Sequence, residues 1–113
     1  MEIKSREQDN VTILELVGNL DTGTAPQLEA KIYELIDSGV HKMALDLTET
    51  GFVSSAGLRV FLVAAKKLSV QNGVVKLCCP NEVVKEILDI SGFDTILDIR
   101  TTLEQALTEM NQS

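Results

Sequence analysis

Hydrophobic positions along this chain fall in short β-like runs that alternate with stretches of helical spacing. Ile3–Gln8 and Val11–Val17 read as strands joined at Asp9-Asn10, two residue types that tolerate the left-handed backbone of a tight turn. A hairpin is therefore expected first. After Gly18-Asn19-Leu20-Asp21, the run Thr24-Ala25-Pro26-Gln27 has the pattern of a capping box with proline in the first helical turn. Leu28, Ile32, Leu35 and Ile36 then recur at helical spacing, and Gly39 stops that helix.

The second half repeats this alternation. His41–Leu47 predicts a strand, Thr48–Ser55 a loop, and Leu58, Phe61, Leu62, Ala65 and Leu68 a core stripe on the following helix, which ends at Asn72-Gly73. Val74–Cys79 predicts another strand. Asn81 then caps a helix carrying Val84, Ile87 and Leu88, and Gly92 terminates it. Ile96–Ile99 predicts a last short strand. Thr102-Leu103-Glu104-Gln105 is a second capping box, opening a helix with Leu103, Ala106, Leu107 and Met110 on one face. The order ββαβαβαβα predicts an α/β fold, one domain across 1–113, in which a starting hairpin joins a mixed sheet with helices on one face or both.

Composition adds constraints. Residues are 44% hydrophobic and 24% charged, ordinary for a globular domain of 113 residues, a size that stands without metal or disulfide staples. Seventeen acidic against ten basic residues give a formal charge of −7, which opposes binding to nucleic acid and to anionic membranes. No run approaches the roughly 18 apolar residues of a membrane span, and MEIKSREQ lacks the basic start and apolar stretch of a signal peptide. A cytoplasmic location is expected. Cys78 and Cys79 point to opposite faces if their segment is a strand, which suits packing in a reducing compartment better than a disulfide.

Candidate chemistry narrows by what each reaction requires. A serine hydrolase needs a base beside its nucleophile, yet the single histidine, His41, begins a strand at the end opposite Ser54 and Ser55. The Gly-x-Ser-x-Gly elbow and both phosphate-cradling glycine patterns are missing from the sequence. Asp46, Glu49 and the cysteines show no ligand spacing, so no metal and no cofactor are expected. What remains is a serine modified by another protein. Ser54-Ser55 lies where a strand runs directly into a helix. A phosphate of about −1.5 to −2 charge there would meet the positive helix end while repelling an acidic partner.

Two segments resemble the STAS domain of bacterial anti-sigma factor antagonists: Gly18-Asn19-Leu20-Asp21 before a capped helix, and Phe52-Val53-Ser54-Ser55-Ala56-Gly57-Leu58 after Ala44-Leu45-Asp46-Leu47. The order of elements agrees over nearly the whole chain. In that family the second motif commonly reads Asp-Ser-Ser/Ala-Gly-Leu, and its first serine is phosphorylated by an anti-sigma factor that is also a serine kinase. Aligned through Gly57 and Leu58, that serine falls on Ser55, with Ser54 the second choice. Ser54 stands where the family usually has aspartate, and Arg59 stands where a small residue is common.

The resemblance implies a partner switch without catalysis of its own. The unmodified domain binds the anti-sigma factor and frees a sigma factor, phosphorylation ends that binding, and a serine phosphatase restores it. The implied partner surface is Asp21, Thr22, Ser54, Ser55, Ala56, Gly57 and Arg59, with Gly57 allowing close approach of partner backbone. A second reading implied by the family is an unphosphorylated STAS subunit of a lipid-transport or stress-signalling complex.

Overall fold

The computed structural model describes residues 1–112. Its elements run β1 (Glu2–Gln8), β2 (Val11–Leu20), α1 (Ala25–Asp37), β3 (Lys42–Asp46), β4 (Thr50–Val53), α2 (Ser55–Val70), β5 (Val74–Cys78), α3 (Glu82–Ile90), β6 (Asp98–Arg100) and α4 (Leu103–Met110). A 3₁₀ turn at Phe93–Thr95 precedes β6. Asp9 and Asn10 have φ of 55° and 66°, the doubly left-handed turn that closes β1 against β2 with Gln8 opposite Val11.

The six-stranded sheet has the order β1-β2-β3-β5-β6, with β4 paired to β2 off this path. Among the described residues only the β1–β2 pair is antiparallel; β2, β3, β4, β5 and β6 run parallel, with helical crossovers from β2 to β3, from β4 to β5 and from β5 to β6. This is the mixed sheet that the alternation predicts, with one strand more.

That extra strand corrects the reading of Thr48–Ser55 as loop. The chain leaves β3, turns through Leu47–Glu49 and resumes pairing with β2 beyond the point where β3 stops, at Gly18↔Thr50 and Leu20↔Val53. Gly18 N–H donates to Glu49 O at 3.0 Å, and the buried Thr50 hydroxyl donates to Leu16 O at 2.7 Å. β2 accordingly extends to Leu20, three residues past its predicted end at Val17. The polar Thr-Glu-Thr run concealed this, because the bonds that pair it, from Gly18 N–H to Glu49 O and from the Thr50 hydroxyl to Leu16 O, join it to a distant segment of the chain.

Both faces of the sheet are covered. Leu14, Leu16, Met43, Leu45, Val75 and Leu77 pack against Leu28 and Ile32 of α1, Phe61 and Leu68 of α2, and Val84 and Leu88 of α3. On the other face Val11, Ile13, Ala44 and Cys78 meet Ala106, Leu107 and Met110 of α4. The stripe on α2 is rotated from its predicted setting. Gly57, Val60 and Ala64 are buried with Leu58, Phe61 and Leu68, whereas Leu62 and Ala65 are half-buried. β6 begins two residues later than the predicted strand, because Phe93–Thr95 and Ile96 continue the turn.

Candidate functional site

The carboxyl ends of the parallel strands gather two connections, β2 to α1 and β4 to α2. Ser54 is extended, with φ −86° and ψ 175°, and caps α2 by accepting from Gly57 N–H at 3.5 Å. Its own N–H donates to Leu20 O at 2.8 Å, which ties the start of α2 to the end of β2. Ser55 is the first residue of α2 and is exposed. The two neighbouring hydroxyls therefore differ in kind: one is engaged in holding the helix end, and the other faces solvent. Ser54 is half-buried and Ser55 exposed.

Asp21 organises the facing connection. Its Oδ1 accepts from Gly23 N–H at 2.9 Å and Thr24 N–H at 3.1 Å, and its N–H donates to Thr24 Oγ1 at 2.9 Å. The expected Thr24 capping box is thus replaced. Thr24 sits at the N-cap with α-like backbone, no side-chain cap bond, and its hydroxyl turned back to Asn19 O at 2.9 Å. Asp21 instead supplies an acceptor just ahead of the helix, its carboxylate reaching the N–H groups two and three residues on.

Ala56 and Arg59 from α2 line a shallow cleft of about 240 Å³ with Thr22 and, from α1, Pro26 and Glu29. Thr22, Ala56 and Arg59 of the expected surface are thus brought together, with Asp21 next to Thr22 in the chain and Ser55 next to Ala56 at the start of α2. Gly57 differs. It is buried, and a Cβ there would meet Leu20 and Val53, so the close approach it permits is made by its own chain. Phe52, 44% exposed in β4, adds an aromatic beside the serines. An apolar residue in front of a helix reads as core, and only the position of β4 at the sheet's end leaves it in solvent.

His41 is exposed before the amino end of β3, while the serines follow the carboxyl end of β4. No general base stands beside them from that residue. Asp46, Cys78 and Cys79, which show no ligand spacing along the chain, lie together in space, and β5 ends at Cys78, so Cys79 lies outside the strand.

The STAS domain family model matches residues 2–106. The chain is 36% identical over 106 residues to a Bordetella bronchiseptica protein described as a candidate anti-sigma factor antagonist, BtrV, covering 94% of this chain and 91% of that one. The crystal structure of a candidate anti-sigma factor antagonist from Thermotoga maritima superposes with a TM-score of 0.92 at 25% identity, over 97% of this chain and 95% of that one. The Bacillus cell fate determinant SpoIIAA in its phosphorylated form shares the fold, with a TM-score of 0.73 at 21% identity over 96% and 98% of the two chains. The chain belongs to the STAS domain family, and anti-sigma factor antagonists are its relatives.

Proposed function

We propose that this protein is an anti-sigma factor antagonist controlled by phosphorylation of Ser55. Unmodified, it binds a cognate anti-sigma factor that is also a serine kinase, and a sigma factor is released. The kinase places a phosphate on Ser55, the complex separates, and a serine phosphatase restores the binding form. The domain binds and is modified, and performs no catalysis itself. It works in the cytoplasm with its partners; no helix among the described residues is long and apolar enough to cross a membrane.

The observation that carries this reading is the division of labour between the two serines. Ser54 holds the end of α2, so Ser55 can be modified without loss of the cap. A phosphate at the first helical residue sits at the positive helix end, and Arg59, one turn on, lies on the same side of α2. Its cost to the folded domain is small, whereas its cost in an acidic or apolar interface is large. Repulsion worth about 1.4 kcal/mol already weakens binding tenfold. The phosphorylated relative SpoIIAA and the name of the Bordetella relative point the same way.

Incubation of the chain with ATP and lysate of its own cells, followed by tandem mass spectrometry, tests the reading. One phosphate on Ser55 is expected, and none in Ser55→Ala. Capture of an anti-sigma factor by the wild-type chain and not by Ser55→Asp completes the result. No anti-sigma factor captured by either chain, with no phosphate on either serine, would favour the unphosphorylated STAS subunit, a reading to which Ser54 in place of the family's aspartate lends weight.

A further inference from the structure

A second grouping of side chains lies on the carboxyl ends of β3 and β5. Asp46 and Cys78 are register partners in the parallel β3–β5 ladder, so both project from the face that α4 covers. Had β5 continued, Cys79 would turn to the other face. Instead β5 stops at Cys78, and Cys79 takes φ 59° and packs against the same α4-side cluster. A left-handed backbone costs a residue with a Cβ about 1–2 kcal/mol. Here it returns the second sulfur to the first. A carboxylate oxygen of Asp46 and the sulfurs of Cys78 and Cys79 all lie within 4.8 Å of one another.

We propose that Asp46, Cys78 and Cys79 bind one thiophilic divalent cation of the zinc class, through two thiolates and a carboxylate, with a fourth position for water. Two sulfurs bonded to zinc at about 2.3 Å in a tetrahedron stand ~3.8 Å apart, so the observed spacing needs a contraction of no more than about 1 Å. The carboxylate is already oriented. Asp46 Oδ1 accepts from Thr48 N–H at 3.0 Å and from Thr48 Oγ1 at 2.6 Å, an outer layer of the kind that fixes metal ligands. Cys78 is fully buried and its S–H points to Leu45 O at 3.7 Å, whereas Asp46 and Cys79 are part-exposed and provide the entry. Burial first, and then the neighbouring Cys79 and Asp46, push the Cys78 thiol up, which keeps it protonated until a cation reverses the local field. Binding exchanges two S–H protons, released to solvent, for one divalent ion, so the net charge of the grouping is the same before and after. Soft thiolates select zinc or cadmium over magnesium and calcium.

The test uses the tag-free chain, reduced and stripped by a chelator. Competition with a chromophoric chelator is expected to show one Zn²⁺ bound per chain with release of two protons, and Cd²⁺ to produce an ultraviolet thiolate charge-transfer band. Cys79→Ser and Asp46→Asn, each keeping the wild-type far-ultraviolet spectrum and metal-free thermal midpoint, should bind Zn²⁺ at least tenfold more weakly. Cys78→Ala disturbs the core and is not needed. Substoichiometric Zn²⁺, undiminished affinity in either variant, or cysteines that remain equally reactive to a thiol reagent at saturating Zn²⁺ would overturn the site.

Discussion

Gly57 and Leu20 touch so closely that a Cβ on the glycine would fall 2.7 Å from Leu20 Cγ and 2.8 Å from its Cδ2. Val53 Cγ1 would stand at 2.9 Å. The first turn of α2 is thereby pressed onto the ends of β2 and β4, and the serine pair is held beside the Asp21 turn.

Gly57→Ala tests that contact. Alanine gains about 1 kcal/mol of helix propensity over glycine, but overpacking a closed core costs about 1–3 kcal/mol. Leu20 is fully buried and cannot swing away. Net destabilisation of about 1 kcal/mol is expected, read as a lower denaturant midpoint and a thermal midpoint lower by ~4 °C. A stabilised variant would show that Leu20 has room to move.

Ser54→Ala and Ser55→Ala should separate. Loss of the cap to Gly57 is expected to cost about 0.5–1 kcal/mol, at the low end for caps because the bond is 3.5 Å long. Ser55→Ala removes an exposed hydroxyl and is expected to stay within about 0.5 kcal/mol of wild type. Chemical denaturation of the two variants checks the order.

Asp21→Asn keeps an acceptor for Gly23 and Thr24 N–H, and Asp21→Ala does not. The alanine variant should lose about 1–2 kcal/mol of stability and the asparagine variant less than half of that. Weaker anti-sigma factor binding by a stable Asp21→Asn chain would assign the loss to charge.

Arg59→Ala is expected to leave the unmodified chain unchanged and to lower the thermal midpoint of the Ser55-phosphorylated chain, by a contribution of about 0.5–1 kcal/mol. Added salt should erase the difference, since the pair is exposed.

Glu109 predicts an acid limb. Arg100 Nε donates to Glu109 Oε1 at 2.7 Å, and this bond first, then the charges of Arg100 and Lys76, holds the carboxyl below its ordinary value. A depressed folded pKa stabilises the fold above the unfolded value and ceases to do so as pH falls through the folded one. Stability from this group is therefore complete above the ordinary glutamate range and declines below it. Glu109→Gln should flatten the pH dependence of the denaturant midpoint on the acid side and leave the neutral-to-alkaline limb parallel to wild type.

Local chemistry along the chain determined most of the architecture. Asp9-Asn10 dictated the hairpin, Asn81 and Thr102 capped their helices through Val84 N–H and Gln105 N–H, and Gly39 and Gly92, at φ 102° and 79°, lie just beyond helix ends. Ser54-Ser55 was legible as a strand-to-helix junction, because caps and turns act over three or four residues. Which of the two hydroxyls carries the cap was decided only by the folded backbone. So were β4, whose partners lie in β2, the inward setting of Gly57, and the meeting of Asp46 with Cys78 and Cys79. Each of those depends on strand register or a crossover between segments distant in the chain, and a pairing between distant segments leaves no periodicity in either one.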